Sequence, residues 1–318
     1  MTPRKLLAVL PVLAIGLLAV PAAPTAALAG TPLTSGAVLT GGAPKPPPPA
    51  PAPVIPTLVA IRAAHHPGYD RLVFEFRGGL PQRHDVNYVP VVIADGSGEP
   101  VPLAGDAFLH VVFSPAVGHD DAGHGTFGPT RRTTALPQII QVATAGDFEA
   151  VLSFGVGLAR RTPFHVFTLT NPSRVVIDVT TPFRTVSVRD YFLFKPAFDS
   201  GHPPFVRAVR RPVIPPAVGR GALQRLFAGP TNSEFSAALR FVASGATGFT
   251  NLSVSNGIAR VRLTGGCSSG GSTFTIADEI FPTLKQFPTV RWVKIFDPAG
   301  HTERPSGNTD SIPECLEP

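Results

Sequence analysis

Lysine is nearly missing from this chain. Only Lys5, Lys45, Lys195, Lys285 and Lys294 occur among 318 residues, so arginine carries most of the positive charge. Charge of either sign is sparse, at 15% of residues, while proline reaches 37. That balance argues against long surface helices and favours short strands joined by loops. Signatures of catalysis are also lacking. No H-E-x-x-H helix, no nucleophile elbow of the G-x-S-x-G kind and no S-x-x-K beside a K-T-G is expected. The Gly/Ser-rich GGCSSGGS has no lysine, so it is not a phosphate loop. Beyond the N-terminus no apolar run is long enough to form a second membrane anchor.

The N-terminus itself is apolar. Arg4 and Lys5 precede Leu6 to Val20 (LLAVLPVLAIGLLAV), which is short for a bilayer span. Small residues follow and end in Ala27-Leu28-Ala29, the A-x-A pattern of a secretory cleavage site. Residues 1–29 are therefore predicted to be a signal peptide, cleaved between Ala29 and Gly30. The rival reading is an uncleaved anchor. No twin arginine precedes the apolar run, and no cysteine near the site offers a lipid attachment point. A secreted, extracytoplasmic protein without a stable membrane span after cleavage is expected.

Export bears on the two cysteines, Cys267 and Cys315. An oxidising compartment and an even count predict a disulfide between them, pinning the tail 301–318. The alternative is a catalytic thiol in GGCSSGG, but no histidine or arginine follows closely. The formal charge of +6 falls to +4 without Arg4 and Lys5. Outside the cell that modest surplus suits an anionic wall polymer better than nucleic acid, or serves solubility alone.

Residues 30–56 read as a spacer. GTPLTSGAVLTGGA is small and flexible, and PKPPPPAPAPVIP should extend as polyproline II over roughly 40 Å. From Thr57 the pattern changes. In RLVFEFR, Leu72, Phe74 and Phe76 point one way and Arg71, Glu75 and Arg77 the other, as in a half-buried strand. VNYVPVVI, AFLHVVF, QIIQVATAG, FEAVLSFGVG, PFHVFTLT and SRVVIDVT follow as further strands, the first of them expected to pair with RLVFEFR. Turn signals lie at Asp95-Gly96, Gly146-Asp147 and Asn171-Pro172. Many short strands without a helical period predict an all-β antiparallel sandwich. Residues 184–205 read as linker, part of which could complete the first sheet.

The second half has another rhythm. GALQRLFAGP spaces Leu223, Leu226 and Phe227 as on a helix that stops at Gly229-Pro230. NLSVSNGIARVRLTG is a hairpin around Asn256-Gly257. FTIADEIFPTLKQF puts Ile276, Ile280, Leu284 and Phe287 on one stripe, with Pro282 inside it, and VRWVKIF returns as a strand. A small α/β domain over 206–300 is expected.

Two resemblances follow from these stretches. PGYDRLVFEFRGGLP, GDFEAVLSFGVGL and RTPFHVFTLTNPSRVVIDV together resemble the AMIN-like domain of exported actinobacterial proteins, over about 57–183. LQRLFAGPT, the Leu252 to Leu263 hairpin and LKQFPTVRWV resemble the GerMN domain of spore-germination proteins, a relative of ring-building modules. The first resemblance implies binding to peptidoglycan or another wall polymer. The second implies contact with an envelope protein or another copy of this chain.

Candidate sites are few. The outward residues Tyr69, Arg71, Glu75 and Arg77 offer planar hydrogen bonding and an aromatic platform for a glycan. The same residues could simply keep an outer face soluble. His65 and His66 are adjacent on an extended chain, point to opposite faces and cannot easily share an ion. Asp70 reads as a turn residue before the strand. A weak metal candidate is GHDDAGHG, with His119, Asp121 and His124 in one loop. No cofactor is expected. The leading expectation is a non-catalytic cell-envelope protein. Its alternatives are a metal-dependent wall hydrolase using the GHDDAGHG loop and a self-assembling structural or sporulation accessory.

Overall fold

A computed structural model describes residues 54–318; the expected signal peptide and most of the spacer lie outside the described residues. The first part contains nine strands: β1 (Thr57–His66), β2 (Tyr69–Arg77), β3 (Arg83–Val89), β4 (Ala107–Ser114), β5 (Arg131–Thr133), β6 (Ile139–Phe148), β7 (Val151–Leu158), β8 (Phe164–Leu169) and β9 (Ser173–Thr180). They form two antiparallel sheets, ordered β1-β2-β9-β8 and β3-β4-β7-β6-β5. The alternation in β2 sends Leu72, Phe74 and Phe76 between the sheets, where all three are buried. Phe74 meets Phe113 of β4 at 4.9 Å and Phe154 of β7 at 5.1 Å between ring centroids. Offset and edge-on packing of that kind adds to the burial of each ring.

Two expectations about this part need correction. VNYVPVVI does not pair with β2; its first residues end β3, which pairs with β4 in the opposite sheet. Gly78 and Gly79, with φ of 85° and 119°, take the chain out of one sheet before it enters the other. The turn between β6 and β7 is not Gly146-Asp147 but Glu149-Ala150, whose φ values are 48° and 57°. Gly146 marks a bulge within β6, where Asp95 packs so close that a Cβ would lie 2.2 Å from its carboxylate.

Glycine is equally required on β7. The 90–106 segment crosses the outer face of this strand. A Cβ on Gly157 would stand 2.1 Å from the Ala104 carbonyl oxygen. Gly157→Ala is expected to destabilise the protein by about 2 kcal/mol, since backbone must move to admit the methyl group. Gly96→Ala, which meets nothing within 4 Å, should stay within about 0.5 kcal/mol of the parent. Chemical denaturation of both variants checks the pair.

The second part contains β10 (Val186–Phe194), α1 (Lys195–Asp199), β11 (Val206–Val213), α2 (Val218–Ala228), α3 (Asn232–Ser236), β12 (Leu239–Arg240), β13 (Ala246–Ser255), β14 (Ile258–Gly265), α4 (Ile276–Lys285) and β15 (Trp292–Phe296). Its strands make two sheets of three, ordered β11-β10-β12 and β13-β14-β15, with β14 and β15 parallel. Residues 186–194, expected as linker, are the central strand of the first of these sheets. The reason is burial: Val188 and Phe192 point under α2 and α4, and Phe192 joins the core there. Leu223 and Leu226 of α2 and Ile276, Ile280 and Leu284 of α4 fill that core with Ala259, Val261 and Leu263 of β14. Asn256 and Gly257 turn the β13–β14 hairpin with positive φ. Helix α4 opens on a reciprocal cap between Thr275 and Asp278 and runs through Pro282 to Lys285.

The tail lies alongside β15 in the parallel sense, with Ser311 opposite Lys294. Asp310 accepts a hydrogen bond from Val293 N at 2.9 Å and pairs with Lys285. Leu316 is buried, and Cys315 is bonded to Cys267 with Cα atoms 5.7 Å apart. The expected disulfide is present. Closing a separation of 48 residues stabilises by about 4 kcal/mol on chain entropy.

The described residues, 54–318, pack as one compact unit. The seam between its parts is polar. Gln141 Nε2 donates to Ala228 O at 3.0 Å and Arg225 Nη2 to Pro137 O at 2.9 Å. Arg220 pairs with Asp106 at 2.5 Å.

Candidate functional site

Strand alternation places Tyr69, Arg71, Val73, Glu75 and Arg77 on the outer face of the β1-β2-β9-β8 sheet. The register then decides their neighbours. Arg71 lies opposite Asp178 of β9, and β8 follows on the far side of β9. Arg71 Nε and Nη2 each donate to Asp178 at 2.7 Å, a two-pronged pair. That bond and the nearby negative charge raise the Arg71 pKa above its ordinary value. The pair is open to solvent, with side-chain exposures of 30% for Arg71 and 18% for Asp178.

Rings flank this ion pair on both sides. The Arg71 guanidinium lies 5.2 Å from the Tyr69 ring centre and 5.3 Å from that of Phe167 on β8. His66 stacks on Tyr69 at 5.0 Å and His165 on Phe167 at 5.4 Å. A flat surface results: two stacked ring pairs separated by a fixed cation and a fixed anion. Apolar ring faces accept the C–H face of a sugar, while the charged edges hydrogen-bond its hydroxyls.

The four residues expected on this face do not act as one group. Tyr69 and Arg71 belong to the ring cluster. Glu75 pairs with Arg62 of β1 further along the sheet, and Arg77 is exposed at the end of β2. Sequence reasoning missed Asp178, Phe167, His165 and His66. The alternation in HVFTL put His165 and Phe167 on one face and Asp178 lay in SRVVIDV, but nothing local said that β9 lies between β2 and β8 or that His66 of β1 stands opposite Tyr69.

His65 and His66 do point apart, as their adjacency requires. His65 Nδ1 lies 2.7 Å from Asp70 Oδ1, while His66 stacks on Tyr69. Asp70 is not a turn residue. It lies within β2, faces the interior and is 0% exposed. Its Oδ2 accepts from Gln138 N at 2.7 Å and Ile139 N at 3.0 Å, where β6 begins in the opposite sheet. It therefore ties the two sheets together.

The GHDDAGHG loop is organised by its own aspartates. Asp120 Oδ1 accepts from Ala122 N at 3.0 Å and His124 N at 2.8 Å, which lowers its pKa. His119 Nδ1 turns instead to Asp147 at 2.8 Å, and His124 pairs with Asp120. The structure does not gather His119, Asp121 and His124: among the described residues no group of three or more His, Cys, Asp or Glu side chains could hold a metal ion. Residues 266–270 (GCSSG) do spell G-x-S-x-G, contrary to the expectation that no such pattern occurs. Ser268 Oγ there accepts from Gly270 N at 3.1 Å, in a loop after β14 tied down by the disulfide. It is not the tight strand-to-helix turn that a nucleophile elbow requires.

Comparison with known proteins is consistent with the sandwich. Residues 56–181 match the AMIN-like domain family. That span holds β1 to β9 and the whole ring-flanked face. AMIN-like domains are generally associated with peptidoglycan binding in cell-envelope proteins, and are typical of periplasmic or secreted proteins. No curated protein and no solved structure matches the chain. Among the described residues no helix is long and apolar enough to cross a membrane.

Proposed function

We propose that this is a non-catalytic protein of the cell envelope that binds peptidoglycan or a related wall polymer through the outer face of β2, β9 and β8. One observation carries the reading: the Arg71–Asp178 pair held open between the Tyr69–His66 and Phe167–His165 ring pairs. An isolated solubilising face has no need of stacked rings around a two-pronged ion pair. The AMIN-like match over the same residues supports it. The N-terminal segment 1–29 acts in this reading as the export signal, removed between Ala29 and Gly30.

The second part would serve a protein partner, or another copy of the chain. Support comes from element order: helix α2, the β13–β14 hairpin, helix α4 and strand β15 follow the succession of a GerMN domain.

Co-sedimentation of the exported protein with purified sacculi tests the reading, with released muropeptides assayed in the same tubes. Binding without release is expected. Tyr69→Ala combined with Arg71→Ala should weaken binding about tenfold, a loss of ~1.4 kcal/mol, at little cost in stability because the face is open. Retention of full binding by that variant would remove the face from consideration. Muropeptide release would replace the binding protein with a hydrolase.

A further inference from the structure

A second site lies at the seam between the two parts, away from the ring-flanked face and sharing no residue with it. A cavity of about 310 Å³ opens where the end of β7 meets helix α2. Arg160, Arg161, Arg220 and Arg225 all line it, against a single acid, Asp106. Asp106 is already paired with Arg220. Arg161 is set by the Tyr88 ring, 4.4 Å from its guanidinium.

Just behind the inner wall lie donors that nothing among the described residues satisfies. Arg225 is 2% exposed and Gln224 8%. Arg225 Nη1 and Gln224 Nε2 are both buried without a hydrogen-bond partner. Buried donors are nearly always paired in proteins, with protein or with a bound species. Asp190, the buried carboxylate of β10, does not fill the role, since neither of its oxygens is hydrogen-bonded. The first turn of α2 adds to the same wall through Ala217, Arg220 and Gly221. That turn has no side-chain cap and no acidic residue of its own, and its positive dipole end adds to the field of the cleft.

We infer that this cleft binds a phosphate group. Four guanidinium groups suit an anion with three or four oxygens: among the described residues the Arg160 and Arg161 forks are free, while those of Arg220 and Arg225 are partly used by Asp106 and the Pro137 carbonyl. A carboxylate would satisfy one fork and leave the others idle. The volume admits one phosphate group with a small substituent. The shared chemistry is thus an anionic phosphoryl group, presented either by free phosphate or by the phosphodiester of a phosphate-linked wall polymer.

Titration calorimetry of the whole protein with inorganic phosphate, at ionic strength held constant with chloride, tests the inference. A saturable one-to-one heat is expected. Arg160→Ala should raise the dissociation constant at least tenfold and Arg160→Ala with Arg220→Ala further. Arg160 is exposed and its side chain makes no hydrogen bond among the described residues, so the single variant keeps its fold even if loss of the Arg220–Asp106 pair disturbs the double one. Absence of saturable heat, or an unchanged dissociation constant in Arg160→Ala, would overturn the site. Competition then separates the sources. A short glycerol phosphate oligomer that displaces inorganic phosphate marks the cleft as a reader of polymer phosphodiesters. Failure to displace marks it as a site for the free anion.

Discussion

Asp70→Ala is expected to lower the stability of the protein by about 4 kcal/mol. The carboxylate is wholly buried and holds the amides of Gln138 and Ile139, themselves 0% exposed. Truncation leaves both donors in the interior without water. Each such orphan costs about 1–3 kcal/mol, and the two together place the variant among the severe substitutions. Asp70→Asn should be milder, about 2 kcal/mol, because the amide oxygen still accepts from the β6 backbone. His65→Ala separates the other half of the interaction. The His65 side chain is 47% exposed, so its removal should cost less than about 1 kcal/mol. Guanidinium unfolding of the three variants gives the ranking. If Asp70→Ala unfolded at the same denaturant concentration as the parent, the tie between the sheets would carry no energy.

Stability should also fall as pH rises from about 4 towards 8, opposite to the behaviour of a protein governed by salt-bridged carboxylates. Two buried carboxyl groups are the source, Asp190 and Glu279. Burial on β10 raises the Asp190 pKa from 3.8 to about 8, with Arg211 and Arg225 opposing that rise and Glu234 adding to it. Glu279, buried under β10 and bonded to the amides of Leu193 and Val242, is likewise raised well above its ordinary value by burial. The sign follows from proton counting. Below the unfolded pKa both states hold the proton and neither group matters. Between that pKa and the folded one, the unfolded chain loses the proton and the folded chain keeps it, so each step in pH favours unfolding. Above about 8 for Asp190, both states are ionised and its penalty is constant. The penalty grows by about 1.4 kcal/mol for each unit separating the two values. Asp190→Asn should flatten the slope of unfolding free energy against pH and leave only the Glu279 share. Equal slopes in parent and variant would show that Asp190 is ionised within the fold.

Much of the architecture was legible residue by residue. RLVFEFR alternates because a strand with one wet face must, and the two faces of β2 in the structure are those read from its sequence. Leu223 and Leu226, and the Ile276–Ile280–Leu284 stripe, lie buried on their helices for the same reason with a different period. Asn256-Gly257 announced its hairpin because few residues tolerate positive φ twice in succession. The cysteine pair followed from the expected export and an even count. All of these depend on short-range sterics, or on whether a side chain meets water.

Tertiary structure decided the partners. Asp178 stands 107 residues from Arg71, and only the β2–β9 register makes them a pair. The same register carries Phe167 and His165 onto the face with Tyr69. Asp70 resembled a turn residue because its neighbours Pro67 and Gly68 form a turn; its burial comes from β6, which sequence position does not announce. Residues 186–194 read as linker until α2 and α4 closed over Val188 and Phe192. The arginine-lined cleft exists only where the two parts meet. In each case the local pattern sets which side of an element is wet. What covers the dry side, or stands beside the wet one, is chosen by hydrogen-bond registers and burial between segments far apart in the chain, whose free energy no single stretch contains.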